Sequence, residues 1–247
     1  MSVNQLHPTN RLNTSCAQCS VLGLCLPLGL SAEEANRLDR LIVQRFKVKK
    51  GAALYRAGHQ LRSLYAVRAG SFKTNVLSND GREQVTGFQM PGETLGLEAI
   101  STDQHTCNAF ALEDSEVCPI PFSQLERLAR ELPSLQHNLN KRLSREIVQN
   151  HEMLMMLGNM NSDERLAAFL LNMSQRLNMR GYSSREFVLK MHRNEIGSFL
   201  GLRLETVCRS IANLREHGLV EVTRRNVKIH NMDGLKQLVA GCHRRLS

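Results

Sequence analysis

From about Val43 to Pro121 the apolar positions fall in short runs, among them Ser63–Val67, Phe72–Leu77 and Gln84–Met90, with glycines at 51, 58, 70, 81, 87, 92 and 96 spaced through the stretch. Asn79-Asp80-Gly81 puts an Asp-Gly turn signal between two of these runs, which predicts a hairpin. Many short strands joined by evenly spaced turns predict a compact antiparallel roll or sandwich. Ahead of it, residues 1–15 are polar, and Ser31 with Glu34 three residues later predicts a capped helix carrying Leu38 and Leu41.

Beyond Pro121 the period becomes helical. Ser123 and Glu126 form another capping-box pair, predicting a short helix to Arg130 that ends near Pro133. Leu139, Leu143, Ile147, Asn150, Leu154 and Leu157 then recur at steps of four, four, three, four and three, on one face of a long helix. A stripe with a single polar Asn has the pattern of a coiled-coil seam whose amide sets the register. An amphipathic helix packed on its own domain shows a similar stripe, but the isolated length of this one favours a dimer contact. Asn161 and Glu164 open the next helix, through Leu166, Phe169, Leu170 and Met173, so Gly158-Asn159-Met160-Asn161 marks a domain boundary. The expected segments are a cysteine-rich 1–26, a β-roll with flanking helices at 27–132, a dimerisation helix at 133–158, and a reader domain at 159–247.

Met191 to Glu216 predicts two helices around a tight corner, Gly201-Leu202-Arg203-Leu204. With Val207, Ile211 and Leu214 facing inward, Glu205, Thr206, Arg209 and Asn213 are left more exposed. A second helix presented in this way enters a major groove with its first turn nearest the base edges. There Arg209 can bond guanine O6 and N7, and Glu205 can accept from a cytosine amino group. Leu219–Val222 and Val227–Ile229 flank Thr223-Arg224-Arg225-Asn226, a hairpin whose basic tip suits phosphate contact. Surface ion pairs and an ordinary solvated turn are the plainer alternatives.

Charge strengthens the nucleic-acid alternative. The formal charge is +9, and residues 181–247 hold 12 Lys/Arg against 6 Asp/Glu, a surplus that attracts polyanions. With 42% hydrophobic and 22% charged residues the composition is that of an ordinary globular chain, not a disordered one. No run approaches 18 consecutive apolar residues and no apolar signal core follows Arg11, so no membrane partner and a cytoplasmic location are expected. Cysteines stand at 16, 19, 25, 107, 118, 208 and 242; the odd number argues against a disulfide framework. Cys16, Cys19 and Cys25 cluster as Cys-x2-Cys-x5-Cys, soft ligands suited to iron–sulfur or zinc chemistry that still lack a fourth member.

Further motifs join these. Ala111-Leu112-Glu113-Asp114-Ser115-Glu116-Val117-Cys118-Pro119-Ile120-Pro121-Phe122, Glu164-Arg165-Leu166-Ala167-Ala168-Phe169, Leu200-Gly201-Leu202 and Glu205-Thr206-Val207-Cys208-Arg209 complete a specific set. With the cysteine triplet, they make the chain closely resemble the fumarate and nitrate reduction regulators, the oxygen-sensing branch of the cyclic-AMP receptor superfamily, over nearly everything after the first dozen residues. The resemblance implies an α+β protein: an antiparallel β-roll sensor, a long dimerisation helix and a C-terminal winged helix-turn-helix. It implies that Cys118 joins Cys16, Cys19 and Cys25 to hold one [4Fe-4S] cluster per subunit. In such proteins the cluster supports the homodimer at low oxygen, and its degradation to [2Fe-2S] weakens the dimer and promoter binding. The resemblance also implies TTGAT-N4-ATCAA-like palindromes as double-stranded DNA targets, contact with RNA polymerase, and activation or repression of anaerobic genes. DNA contacts fall to Glu205, Cys208, Arg209, Arg224 and Arg225, and the dimer seam to the stripe from Leu139 to Leu157.

Three positions depart from the family pattern. Cys208 stands where relatives carry serine, so a weak thiol donor replaces a hydroxyl. Arg203 replaces the usual threonine cap and removes a side-chain acceptor. Asn150 stands where oxygen-responsive relatives can carry an acidic residue, which relieves charge repulsion across a two-fold axis. Rival assignments are structural zinc at the thiols and a cyclic nucleotide in the roll. Gly92-Glu93 suits a cyclic nucleotide, but Leu97–Phe110 offers no arginine for its phosphate. An enzyme is the remaining class, and no nucleophile–base or metal-hydrolase pattern supports one.

Overall fold

A computed structural model describes residues 7–8, 15–42, 44–78 and 81–243. The chain divides into two compact units, residues 1–146 and 147–247. The dividing point lies inside the longest helix rather than at the Gly158 break.

The first unit contains β1 (His7–Pro8), α1 (Ala32–Asp39), β2 (Phe46–Val48), β3 (Ala53–Tyr55), β4 (Ser63–Ala69), β5 (Phe72–Leu77), β6 (Glu83–Gln89), β7 (Thr94–Leu95), β8 (Asn108–Ala111), β9 (Ser115–Pro121) and α2 (Phe122–Glu131). Its strands form two antiparallel sheets, ordered β1-β2-β9-β4-β7 and β3-β8-β5-β6. The glycine-punctuated runs are therefore strands. β5 and β6 pair out to Leu77 and Glu83 as the Asp-Gly signal predicts, although Asn79 and Asp80 lie outside the described residues.

Alternation along β4 and β9 sorts side chains between two cores. Val67 and Val117 enter a core with Phe72, Leu54 and Tyr55. Leu64, Ala66, Cys118 and Ile120 point the other way, into a core closed by Leu38 of α1, Leu125 and Leu128 of α2, and Leu26 of the cysteine segment. The pairing of Ala66 with Cys118 thus turns that thiol toward the helices.

The Ser31–Glu34 capping box forms, with Glu34 N donating to Ser31 Oγ at 3.2 Å and Ser31 N to Glu34 Oε2 at 2.8 Å. The Ser123–Glu126 box does not. β9 stays paired with β4 as far as Pro121, Phe122 N donates to the Arg62 carbonyl, and the chain turns straight into α2 at Phe122, leaving Ser123 inside the helix. Pro133 then opens α3 (Pro133–Asn159), where its missing N–H costs no helical bond.

The second unit carries the end of α3, then α4 (Ser162–Asn178), β10 (Glu186–Val188), α5 (Arg193–Leu200), α6 (Leu204–Glu216), β11 (Val220–Thr223), β12 (Asn226–Ile229) and α7 (Met232–His243). Asn161 caps α4 by accepting from Asp163 N and Glu164 N, both at 3.0 Å, and Glu164 returns the bond to Asn161 N at 2.9 Å. Arg165 ties three carbonyls together: those of Leu157 and Met160 at the end of α3, and that of Leu200 at the end of α5. The antiparallel sheet β10-β12-β11 completes a winged helix-turn-helix. Among the described residues no helix is long and apolar enough to cross a membrane.

Candidate metal centre and nucleic-acid interface

The cysteine segment is a succession of tight turns. Cys16–Gln18 and Leu22–Leu24 are single 3-10 turns, closed by Cys19 N to Cys16 O at 3.2 Å and Cys25 N to Leu22 O at 3.3 Å. Residues three apart eclipse in such a turn, so Cys16 and Cys19 present their thiols on one side. Cys16 N donates to Asp39 Oδ1 at 3.1 Å, which pins the segment to the end of α1. Cys16, Cys19, Cys25 and Cys118 all line one pocket, together with Arg45 and Arg68. Cys107 does not; it sits in the other core, against Tyr55 and Glu98, where burial pushes its thiol up to about 12.

Burial dominates the chemistry of Cys16, Cys25 and Cys118. It raises Cys118, with Arg45 pulling the other way, and it raises Cys16, with Asp39 adding to the effect. It pushes Cys25 up to about 11 against the lowering influence of the Leu26 amide and Arg142. Unligated, Cys16, Cys25 and Cys118 keep their protons, and a thiophilic metal must displace them to bind. Arg45 and Arg68 supply positive charge beside the thiolates that result, and Arg68 is itself held by Glu116 at 2.7 Å.

Among the described residues no three His, Cys, Asp or Glu side chains converge closely enough to hold a single metal ion. The four thiols line one pocket with two arginines beside them to offset their charge, a donor set of the soft, thiolate kind that iron–sulfur groups and zinc both take.

The helix-turn-helix depends on two glycines. Gly201 takes φ +64° at the end of α5, and a Cβ on Gly197 would lie 2.7 Å from the Leu202 carbonyl. A Gly197→Ala chain should therefore lose about 1–3 kcal/mol of stability in the reader unit, measured as a lower chemical-denaturation midpoint followed by helix circular dichroism.

On α6, Val207, Ser210 and Leu214 are buried while Glu205 and Arg209 are exposed, and neither of these two has a hydrogen bond or ion pair among the described residues. Asn213 is committed elsewhere, donating to Asp163 Oδ2 at 3.1 Å. The Cys208 thiol receives Arg193 Nη1 at 3.5 Å. Arg203 caps α6 with no side-chain bond, as its replacement of an acceptor residue predicts. In the wing turn Arg224 is exposed at φ +56°, and Arg225 Nη2 lies 2.7 Å from Nε2 of His192 at the start of α5. His192 thereby holds one wing arginine beside the helix-turn-helix, a contact across 33 residues that no local pattern announces.

The stripe on α3 divides. Leu139 is buried in the core of the first unit, and Leu143 and Leu157 are half-buried. Ile147 and Leu154 are 56% and 68% exposed, flanked by exposed Val148 and Met155, with Asn150 exposed between them. Val148 and Met155 widen the apolar face beyond the stripe. Cys242 lies in α7 with its side chain outside the described residues.

Comparison with known proteins agrees with this architecture. Residues 164–238 match the Crp-like helix-turn-helix domain and residues 45–131 the cyclic nucleotide-binding domain. The chain is 45% identical over 224 residues to the transcriptional regulatory protein btr of Bordetella pertussis, covering 91% of this chain and 93% of that one. It is 40% identical over 231 residues to the fumarate and nitrate reduction regulatory protein of Yersinia pestis, covering 94% and 92%. Among solved structures, FixK2 from Bradyrhizobium japonicum superposes with a TM-score of 0.73 at 30% identity, covering 78% of this chain and 96% of that one. With a sandwich, a long helix, a winged reader and these relatives, the chain belongs to the fumarate and nitrate reduction regulator branch of the Crp–Fnr superfamily.

Proposed function

We propose that this protein is an oxygen-responsive transcription regulator of anaerobic metabolism: a cytoplasmic homodimer that binds TTGAT-N4-ATCAA-like DNA, contacts RNA polymerase, and carries one [4Fe-4S] cluster per subunit on Cys16, Cys19, Cys25 and Cys118. The observation that carries the proposal is the single pocket lined by those four thiols, three from the N-terminal turns and one from β9. A cluster in that position supplies an oxygen-labile crosslink between the cysteine segment and the sheet. The residues of the chain do the rest. Asp39 orients Cys16, Arg45 and Arg68 offset thiolate charge, and burial keeps water from Cys16 and Cys118. Glu205, Cys208 and Arg209 face base edges, Arg224 and Arg225 face phosphate, and the exposed α3 face around Ile147 and Leu154 packs on a second copy.

Anaerobic purification tests this directly. The expected protein is brown, contains iron and sulfide, and loses its absorption signature and its affinity for a palindromic duplex together on exposure to air. A colourless protein with stoichiometric zinc overturns the cluster and supports the structural-metal alternative. The cyclic-nucleotide alternative draws on the match at residues 45–131, but no arginine or lysine lies between Pro91 and Phe110 to neutralise a phosphate. Nucleotide-dependent operator binding by cluster-free protein would revive it.

Asn150 sets how strongly dimerisation depends on the cluster. Two carboxylates facing each other across a two-fold axis repel at short range in a partly desolvated seam, whereas two amides do not. An Asn150→Asp chain should dissociate further on exposure to air than the wild type does, as read by sedimentation. A wild-type chain that is already wholly monomeric in air would sink this expectation.

A further inference from the structure

Two polar side chains of α3 hold the cysteine segment by its backbone. Asn138 Nδ2 donates to the carbonyls of Leu26 at 3.1 Å and Leu28 at 2.7 Å, and Arg142 Nη2 donates to the carbonyl of Leu24. Asn138 and Arg142 are four residues apart, so they stack on one helix face, and the carbonyls they grip bracket Cys25. The segment is also closely packed at Leu24: a Cβ on Gly92 would lie 2.5 Å from Leu24 Cβ. The Arg142 guanidinium is half-buried, and its charge is felt at Cys25. Burying a guanidinium is costly unless its donors are used, and here one is spent on a carbonyl next to a cysteine.

The same helix carries the exposed apolar face. Leu143 follows Arg142 by one residue, about 100° around the axis, and Ile147 lies one turn further on. Without the two polar side chains, the segment would meet α3 through apolar packing alone, Leu26 against the core that contains Leu135 and Leu139. Such packing is non-directional and tolerates sliding. Hydrogen bonds on three alternate carbonyls, those of Leu24, Leu26 and Leu28, do not.

We propose that Asn138 and Arg142 form a latch joining the cysteine loop to α3, through which a change at Cys25 is passed to the helix that dimerises. Both are positioning residues: neither is a ligand, and neither belongs to the apolar dimer face. The proposal rests on the assignment of a cluster to the four thiols, and the test separates the two.

The full-length chain and its Asn138→Ala, Arg142→Leu and Arg142→Lys variants are reconstituted anaerobically with iron and sulfide. Hydrogen exchange is measured on the metal-free proteins at the Leu24, Leu26 and Leu28 amides, and dimer dissociation by sedimentation before and after air. The expected result is wild-type iron content in all three variants, with exchange about tenfold faster in Asn138→Ala and Arg142→Leu. In those two, the factor by which air weakens the dimer falls about tenfold, within the usual span of site-to-site coupling. Arg142→Lys, which keeps a charged donor, recovers most of both. Unchanged exchange overturns the latch. Faster exchange with an unchanged air factor makes the contacts merely local and overturns the coupling. Failure of both donor-deleting variants to load iron overturns it too, since a transmitter is dispensable to the site itself. A wild-type chain that holds no iron overturns the cluster assignment, before any variant is compared.

Discussion

A Cys118→Ala chain, reconstituted anaerobically, should hold only background iron and should bind a palindromic duplex about 100-fold more weakly. At micromolar protein, losing a bound group that sustains the dimer removes stabilisation of that order by mass action. The fold should survive. Cys118 sits in the middle of β9, paired with Ala66 of β4, and alanine is accommodated by the same strand and the same core. A small buried thiol behaves as a small hydrophobe, so its truncation costs about 1 kcal/mol. The metal-free variant should therefore melt within a few degrees of metal-free wild type. Iron and sulfide assays, absorption spectra and fluorescence anisotropy on the duplex check each part. Full iron content in the variant would place the fourth ligand elsewhere, and Cys107 cannot take the role from the opposite core.

Arg209→Ala should produce the largest loss within the reader. Arg209 projects from α6 into solvent with no intramolecular hydrogen bond or ion pair among the described residues, so it stands ready for a bidentate guanine contact. Each such contact discriminates by about 1–3 kcal/mol, or about 5–150-fold, and a dimer makes it twice. The variant should bind the palindrome that much more weakly and lose its preference at the contacted base pair. Arg224→Ala in the wing should behave differently, weakening binding by a similar factor for every sequence and reducing the salt slope by about 1 per subunit. Anisotropy titrations at several salt concentrations, on the palindrome and on single-base variants, separate the two. A uniform loss for Arg209→Ala would reassign it to phosphate.

How far the residues alone carry the structure differs from element to element. The strands of the roll were recoverable because glycine and Asp-Gly impose backbone conformations locally. The α4 cap at Asn161 was recoverable because a capping box is a contact between residues three apart. The same pattern at Ser123 misled, because pairing of β9 with β4 as far as Pro121 decides where α2 begins, and that pairing spans more than fifty residues. Val148 and Met155 were missed from the exposed face of α3 because a strict three-and-four stripe samples only part of a helix surface. On α6, Asn213 was expected to face outward and is instead bonded to Asp163 of α4.

The thiol site shows the same division. A motif of three closely spaced cysteines is local, and its affinity for a soft metal follows from the residue type alone. Which distant cysteine shares its pocket is a matter of strand alternation. Val117 and Cys118 are neighbours in the chain yet enter opposite cores, because successive side chains in a strand point to opposite faces. Sequence resemblance named Cys118, and strand register turns that thiol, and not Cys107, toward the pocket that Cys16, Cys19 and Cys25 line. The partners of those turns are longer-range still, with Asn138 and Arg142 reaching back more than a hundred residues to the carbonyls around Cys25. Backbone carbonyls carry no residue identity, so no pattern in the chain marks them as partners. Chain order and residue type were enough for the classes of element and the family they mark; which groups meet, and through what contacts, came from packing, because those contacts are made only once the sheets and helices have closed around them.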